Sequence, residues 1–216
     1  MKTFTFGYTS QSLPIQAFNY GFNGTPLLIL GGVHGDEIEG IQAAYAINDR
    51  FQKNFPYSFQ AVVVPCLNMD GMLAKTRKNA NSVDLNRNLP TSDWTPVAAK
   101  ESYFPGSSAN SEPENKYLTA FIDSYKPKFI LSLHSWIPLL NINGDCKKFA
   151  NIVSALTGYK ITDDIGYPTP GSLGTYSGLE RNIPTLTYEF ERGLNAKIIT
   201  GLHVDAIIEG LKVYEH

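Results

Sequence analysis

The stretch Leu27-Leu28-Ile29-Leu30-Gly31-Gly32-Val33-His34-Gly35-Asp36-Glu37 constrains the fold more than any other. An apolar run of strand length ends in paired glycines, and a helical pattern begins within or just after His34-x-x-Glu37. Strand, glycine turn and helix in direct succession are the pieces of a helix-covered sheet. The turn also leaves an imidazole and a carboxylate together at the exit of a buried strand. Such a pair suits zinc, which takes imidazole nitrogen and carboxylate oxygen; catalytic zinc sites use three protein ligands and keep one open position.

Four histidines are available for a further ligand. His216 is terminal, and His203 falls in a C-terminal helical pattern beside Ile199, Leu202 and Ala206, where packing is the expected role. His134 ends the apolar run Phe129-Ile130-Leu131-Ser132-Leu133. Strand ends are where open α/β sheets bind ligands, so His34, Glu37 and His134 form the expected metal set. A hydrolytic zinc also needs a base. The run Thr185-Leu186-Thr187-Tyr188-Glu189-Phe190 carries Glu189 in an apolar strand, where an acid is costly unless it faces a polar pocket. Glu191, on the same face, is the alternative, but Glu189 sits deeper in the run.

Between Leu67 and Glu114 no long periodic segment occurs, and loops of that length are functional or disordered. This one holds Lys75-Thr76-Arg77 and Asp84-Leu85-Asn86-Arg87-Asn88-Leu89-Pro90. Arginine pairs with carboxylates, and asparagine adds a donor. Arg77 and Arg87 near a zinc suit a substrate with a free carboxylate, one gripping it and the other stabilising the oxyanion.

Taken together, His34-x-x-Glu37, Asn86-Arg87, His134 and Glu189 resemble the zinc carboxypeptidase family (the carboxypeptidase A-like metallopeptidases). Asn68-Met69-Asp70-Gly71, Ser111-Glu112-Pro113-Glu114 and the stretch from Gly166 to Gly174 extend the resemblance over most of the chain from Leu27 to Phe190. The likeness is greatest to the bacterial murein peptide amidases, which cleave between γ-D-glutamate and meso-diaminopimelate. The resemblance implies one zinc per chain on His34, Glu37 and His134, and Glu189 as general base and proton shuttle. It implies Asn86 and Arg87 as the grip on the substrate carboxylate, Arg77 as the group polarising the scissile carbonyl, and Tyr167 as a tyrosine closing over the substrate. Three positions depart from the amidase pattern: Met69 replaces a proline, Leu89 a phenylalanine, and Ser135-Trp136 an Asp-Pro pair.

Composition narrows the remaining classes. A chain of 216 residues with 43% hydrophobic residues supports one domain with a sizeable core. The net charge of −2 and the absence of a basic cluster argue against nucleic acid as a partner. No run reaches transmembrane length, and Met1-Lys2-Thr3-Phe4-Thr5-Phe6-Gly7 lacks an apolar leader core, so the cytoplasm is the expected compartment. Cys66 and Cys146 are expected to be reduced and unpaired. A cysteine-protease reading of Cys66 with His134 leaves His34 and Glu37 idle.

The expected fold is a single α/β domain, a mixed, largely parallel sheet with helices on both faces. Strands are expected near 27–31, 60–66, 129–133 and 185–190, helices near 38–52, 114–125, 147–157 and 195–214, and an edge hairpin from Thr3–Phe6 and Ile15–Asn19. The function this supports is zinc-dependent hydrolysis of an amide bond beside a carboxylate in a small acidic peptide. Two alternatives stand beside it: an N-acyl amino acid hydrolase of the aspartoacylase and succinylglutamate desuccinylase type, and a non-catalytic zinc-holding protein. An intact base and two arginines disfavour the last.

Overall fold

The structure, a computed structural model, describes residues 1–215, so His216 lies outside the described residues. Four parallel strands make the centre: β3 (Pro26–Gly31), β4 (Gln60–Val64), β5 (Phe129–Trp136) and β8 (Thr185–Glu191). They read as near-continuous apolar runs because strands covered on both faces have no wet side. Within β3 the period of two divides the residues between two cores. Leu27 and Ile29 face the core shared with the helices α1 (Ile38–Lys53), α4 (Lys147–Thr157) and α6 (Val204–Leu211), while Leu28 and Leu30 face the core under α3 (Pro113–Tyr125). In α3 the stripe Leu118, Phe121, Ile122 and Tyr125 packs there, and Pro113 stands at the helix start, where its missing N–H costs nothing.

The sheet has eight strands in the order β1-β2-β4-β3-β5-β8-β6-β7. The expected hairpin forms from β1 (Lys2–Tyr8) and β2 (Pro14–Tyr20), but only β1 is an edge. Phe18–Tyr20 of β2 also pairs antiparallel with Ala61–Val63. Two further strands were not anticipated: β6 (Leu139–Asn143), antiparallel to β8, and β7 (Lys160–Thr162) beyond it. Both are short, and the asparagines of β6, residues of low strand propensity, alternate with Leu140 and Ile142. β4 ends at Val64 rather than Cys66, and both cysteines are buried and free. The C-terminal helix is also interrupted. After α5 (Ala196–Ile198) a π-helical turn, Ile199–His203, leads into α6. The buried His203 lies there with Nδ1 2.5 Å from the Tyr188 hydroxyl, a packing role. Among the described residues no helix is long and apolar enough to cross a membrane.

The long segment after β4 is ordered by its own amides. Asn68 caps α2 (Met69–Ala74) by accepting from Gly71 N–H at 2.9 Å. Asp70 accepts from the Thr9 hydroxyl at 2.8 Å and Gln11 N–H at 3.0 Å, tying the segment to the hairpin. Asn79 donates to Glu112 at 2.8 Å, Asn88 to the Pro105 carbonyl at 2.7 Å, and Asn115 to the Leu85 carbonyl at 2.8 Å. These bonds replace the backbone pairing that a sheet or helix would supply.

Helix α1 reaches the sheet through Gly40. A Cβ there would lie 2.4 Å from the Leu133 carbonyl oxygen, one residue before His134. Gly40→Ala is therefore expected to overpack this contact and cost ~1–3 kcal/mol, measured as a lowered denaturation midpoint. An unchanged midpoint would show that α1 can move away freely.

Candidate metal centre and substrate cleft

His34 leaves the glycine turn after β3, Glu37 immediately precedes α1, and His134 lies at the end of β5. All three are buried. His34 Nδ1 lies 2.8 Å from Glu37 Oε1, His134 Nδ1 2.8 Å from Glu37 Oε2, and the two Nδ1 atoms 3.2 Å apart. Donors of a tetrahedral zinc, at ~2.0–2.2 Å from the ion, stand roughly 3.3 Å from one another. Two imidazole nitrogens facing each other at 3.2 Å conflict if both carry lone pairs, and a shared cation removes that conflict. The donor set thus fits a zinc, and these three side chains could hold one.

Each ring is also held from behind. His34 Nε2 lies 3.0 Å from Asp84 Oδ1, and His134 Nε2 lies 2.9 Å from the Ser132 hydroxyl. With Nε2–H given to the carboxylate, the Nδ1 lone pair of His34 is turned to the centre. Asp84 is fully buried, and burial pushes its carboxyl up. The charge and hydrogen bond of His34, with Arg77 and Arg87, outweigh this and hold it far below the usual range. Burial likewise pushes Glu37 up, and the two imidazoles hold it well below the ordinary value.

Arg77 extends the same network, with Nε 3.0 Å from Asp84 Oδ2 and Nη1 3.2 Å from Glu37 Oε1. Arg87 is buried, donates to the Asn86 carbonyl at 2.6 Å and stands beside Arg77 under one aromatic ring. That ring is Tyr103, whose centroid is 5.3 Å from Arg77 Cζ and 5.0 Å from Arg87 Cζ. Asn86 accepts from Leu173 N–H at 2.8 Å through Oδ1, which turns its amide NH2 toward the cleft it lines. Tyr167 stacks parallel to Tyr103 at 6.3 Å and meets Trp136 edge-on at 5.7 Å. These groups line a cleft of about 260 Å³.

Glu189 is paired in register with His134 across β5 and β8 and lines the same cleft. Among the described residues its Oε2 is buried without a hydrogen-bond partner. Burial pushes its carboxyl up to about 7, against the pull of His134, Arg77 and Arg192. Glu191 is exposed and does not line the cleft.

A family model described as zinc carboxypeptidase matches residues 1–151. The chain belongs to the zinc carboxypeptidase family. Murein peptide amidase A of Vibrio campbellii is 34% identical over 197 residues, covering 84% of this chain and 75% of that protein. The protein of the same name from Escherichia coli K12 is 31% identical over 175 residues, covering 76% and 70%. Among solved structures, a murein-tripeptide amidase of Escherichia coli O157 superposes with a TM-score of 0.80 at 22% identity, covering 98% of this chain and 92% of that one. Carboxypeptidase A of Helicoverpa armigera superposes at 0.81 with 16% identity, covering 98% and 67%. The latter two likenesses concern the fold. The chain is thus a hydrolytic enzyme of a zinc-dependent peptidase and amidase family.

The structure also explains the three departures. Met69 is the first residue of α2, where a proline is tolerated but not required. Leu89 remains buried in the core under α3. Ser135 N–H donates to Glu37 Oε2 at 3.1 Å, and its hydroxyl donates to Glu39 at 2.6 Å, while Trp136 joins the cleft wall. Sequence reasoning gave no role to Asp84, Ser132, Tyr103 or Arg192. Asp84 was within reach, since it precedes Asn86-Arg87 and a ligating imidazole needs a carboxylate or carbonyl for its second nitrogen. Tyr103 lies far along an aperiodic segment and carries no local signal.

His34→Ala and His134→Ala are expected to lose zinc. Asp84→Asn keeps the shape but weakens the hold on the His34 ring, and zinc affinity is expected to fall ~10- to 100-fold. Metal titration followed by elemental analysis checks both expectations; wild-type affinity in Asp84→Asn would exclude an orienting role for that carboxylate.

Proposed function

We propose that this enzyme is a zinc-dependent amidase that hydrolyses an amide bond beside a free carboxylate, and that its substrate bond joins γ-D-glutamate to meso-diaminopimelate in murein peptides. The observation that carries this reading is the partnerless Oε2 of Glu189, facing a cleft with the His34, Glu37 and His134 trio and two arginines. The names of the relatives, murein peptide amidase A and murein-tripeptide amidase, support the substrate.

Zinc bound at the trio supplies Lewis-acid polarisation and makes water acidic enough to attack near neutral pH. The chain's own groups do the rest. Glu189 takes a proton from the attacking water and delivers it to the leaving nitrogen, a role suited to a carboxyl raised toward neutrality. Arg77 holds the carbonyl oxygen as negative charge gathers on it. Arg87 and the Asn86 amide grip the carboxylate of the leaving residue, and this orients the bond. Tyr103 covers both guanidiniums, so their charge is screened from solvent on one side. Tyr167 and Trp136 close the wall over the leaving residue.

The direct test is incubation of the zinc-loaded protein with L-Ala-γ-D-Glu-meso-diaminopimelate and, in parallel, with N-acyl amino acids. Free diaminopimelate as product supports the reading; cleavage of acyl amino acids alone overturns it. Glu189→Gln keeps size and hydrogen bonding but not basicity, so turnover is expected to fall at least ~10²-fold with zinc retained, and Glu191→Gln to be far milder. The reverse ranking would move the base to Glu191. Arg87→Ala should cost ~2–3 kcal/mol in kcat/KM on substrates with a free leaving-side carboxylate, and much less on their amidated analogues. Equal losses on both would remove Arg87 from that role.

A further inference from the structure

We infer that Arg192 anchors a second substrate carboxylate, on the acyl side of the scissile bond; this rests on the amidase reading above and extends it. Arg192 follows β8 directly, lines the cleft and leaves its side chain 43% exposed. Its Nη1 donates to the Asp36 carbonyl at 2.7 Å, and Nη2 makes a long contact to Asp36 Oδ2 at 3.4 Å. A guanidinium has five N–H donors. Among the described residues those two bonds are its only hydrogen bonds, so most of the fork is unused. The short bond goes to a neutral backbone carbonyl, and the carboxylates of Asp36 and Glu37 stand farther off, at 3.4 and 3.7 Å from Nη2.

Position then selects the ligand. Arg192 Nη2 lies 3.7 Å from Glu37 Oε1, and Arg77 Nη1 lies 3.2 Å from the same oxygen. Arg77 in turn shares the Tyr103 ring with Arg87. Arg77 thus neighbours both of the others, Arg192 through Glu37 Oε1 and Arg87 through the Tyr103 ring. With the scissile carbonyl at Arg77 and the leaving residue's carboxylate at Arg87, the acyl part of the substrate extends toward Arg192.

Arm length gives the site its consequence. A glutamate joined through its γ-carbonyl carries its free α-carboxylate three carbons from the scissile carbonyl, whereas a neutral acyl residue offers no charge there. A planar fork with spare donors fits that carboxylate and gains little from a neutral group. Arg192 thus acts as a specificity residue for acyl groups with a free carboxylate three carbons from the scissile carbonyl, and the enzyme reads two carboxylates, one on each side of the bond it breaks.

The test compares L-Ala-γ-D-Glu-meso-diaminopimelate with L-Ala-γ-D-isoglutaminyl-meso-diaminopimelate, in which the α-carboxylate is a carboxamide. Wild-type protein is expected to favour the acid ~10-fold or more in kcat/KM, the scale of one charge-assisted contact. Arg192→Gln should collapse that preference to near unity. Arg192→Lys keeps a cation without the fork and should show an intermediate preference, so the outcome does not depend on one variant folding well. Calorimetry with L-Ala-γ-D-Glu and its α-amide should give the same ordering as binding constants. Equal wild-type rates on the two peptides, or a preference that survives in Arg192→Gln, would overturn the inference and leave the amidase reading standing. Cleavage of neither peptide by wild-type protein would remove that reading and the inference with it.

Discussion

One buried carboxylate organises the site. Asp84 Oδ1 lies 3.0 Å from His34 Nε2 and accepts from Asn86 N–H at 2.9 Å, while Oδ2 accepts from Arg77 Nε at 3.0 Å. An imidazole of the candidate metal trio, the arginine beside it and the start of the Asn86-Arg87 turn are thus fixed to a single group. A fully buried charge is tolerable only because every strong acceptor direction is used, two of them by groups that carry or share positive charge. Removing one partner would leave the others to repel or reorient, so the long segment from α2 to α3 is coupled to the metal centre electrostatically, beyond its packing.

That coupling explains what was legible in the sequence. The central strands were visible because burial on both faces demands unbroken apolar runs, and the three candidate ligands that the fold brings together stand at the exits of two such runs. The order of Ser111-Glu112-Pro113-Glu114 was visible only as resemblance. In the structure its acids receive the Asn79 and Asn81 amides and so pin the aperiodic segment. Long-range side-chain bonds of this kind have no period and no fixed spacing. The same holds for Tyr103, which lies sixteen positions beyond Arg87 by number and is placed over it only by the folded loop. β6 and β7 were missed for a different reason. They are only five and three residues long, and in β6 Asn141 and Asn143, residues of low strand propensity that line the cleft, take one face opposite Leu140 and Ile142.

The departures from the amidase pattern separate structural from functional constraint. Met69 and Leu89 occupy positions where only helix geometry or apolar volume matters. Ser135 is different. Its N–H bonds the metal-site carboxylate Glu37, and its hydroxyl bonds Glu39, which also accepts from Gly193 N–H at 2.7 Å. Glu39 therefore clamps the end of β5 to the exit of β8. Beside His134, Ser135 thus supplies a backbone donor to Glu37 and, through Glu39, a cross-link between the two strand exits.

The clamp bears on the cleft as a whole, because the exit of β8 carries both Glu189 and Arg192. Three guanidiniums stand along a wall that also holds Glu37 and Glu189, and Asp36 contacts Arg192 beside it. Without substrate, these acids and bases compensate one another within a few ångströms. A neutral peptide would have to separate them without return. In the proposed reading, a substrate with a carboxylate on each side of the scissile bond would replace the long Asp36 contact at Arg192 and meet the fork of Arg87, so that both positive charges would keep partners on binding. On that reading, the charge balance among these side chains and the proposed selectivity for a doubly acidic ligand rest on the same arrangement. Its rigidity rests on the short backbone bond from Arg192 to Asp36, on the Glu39 clamp and on Asp84.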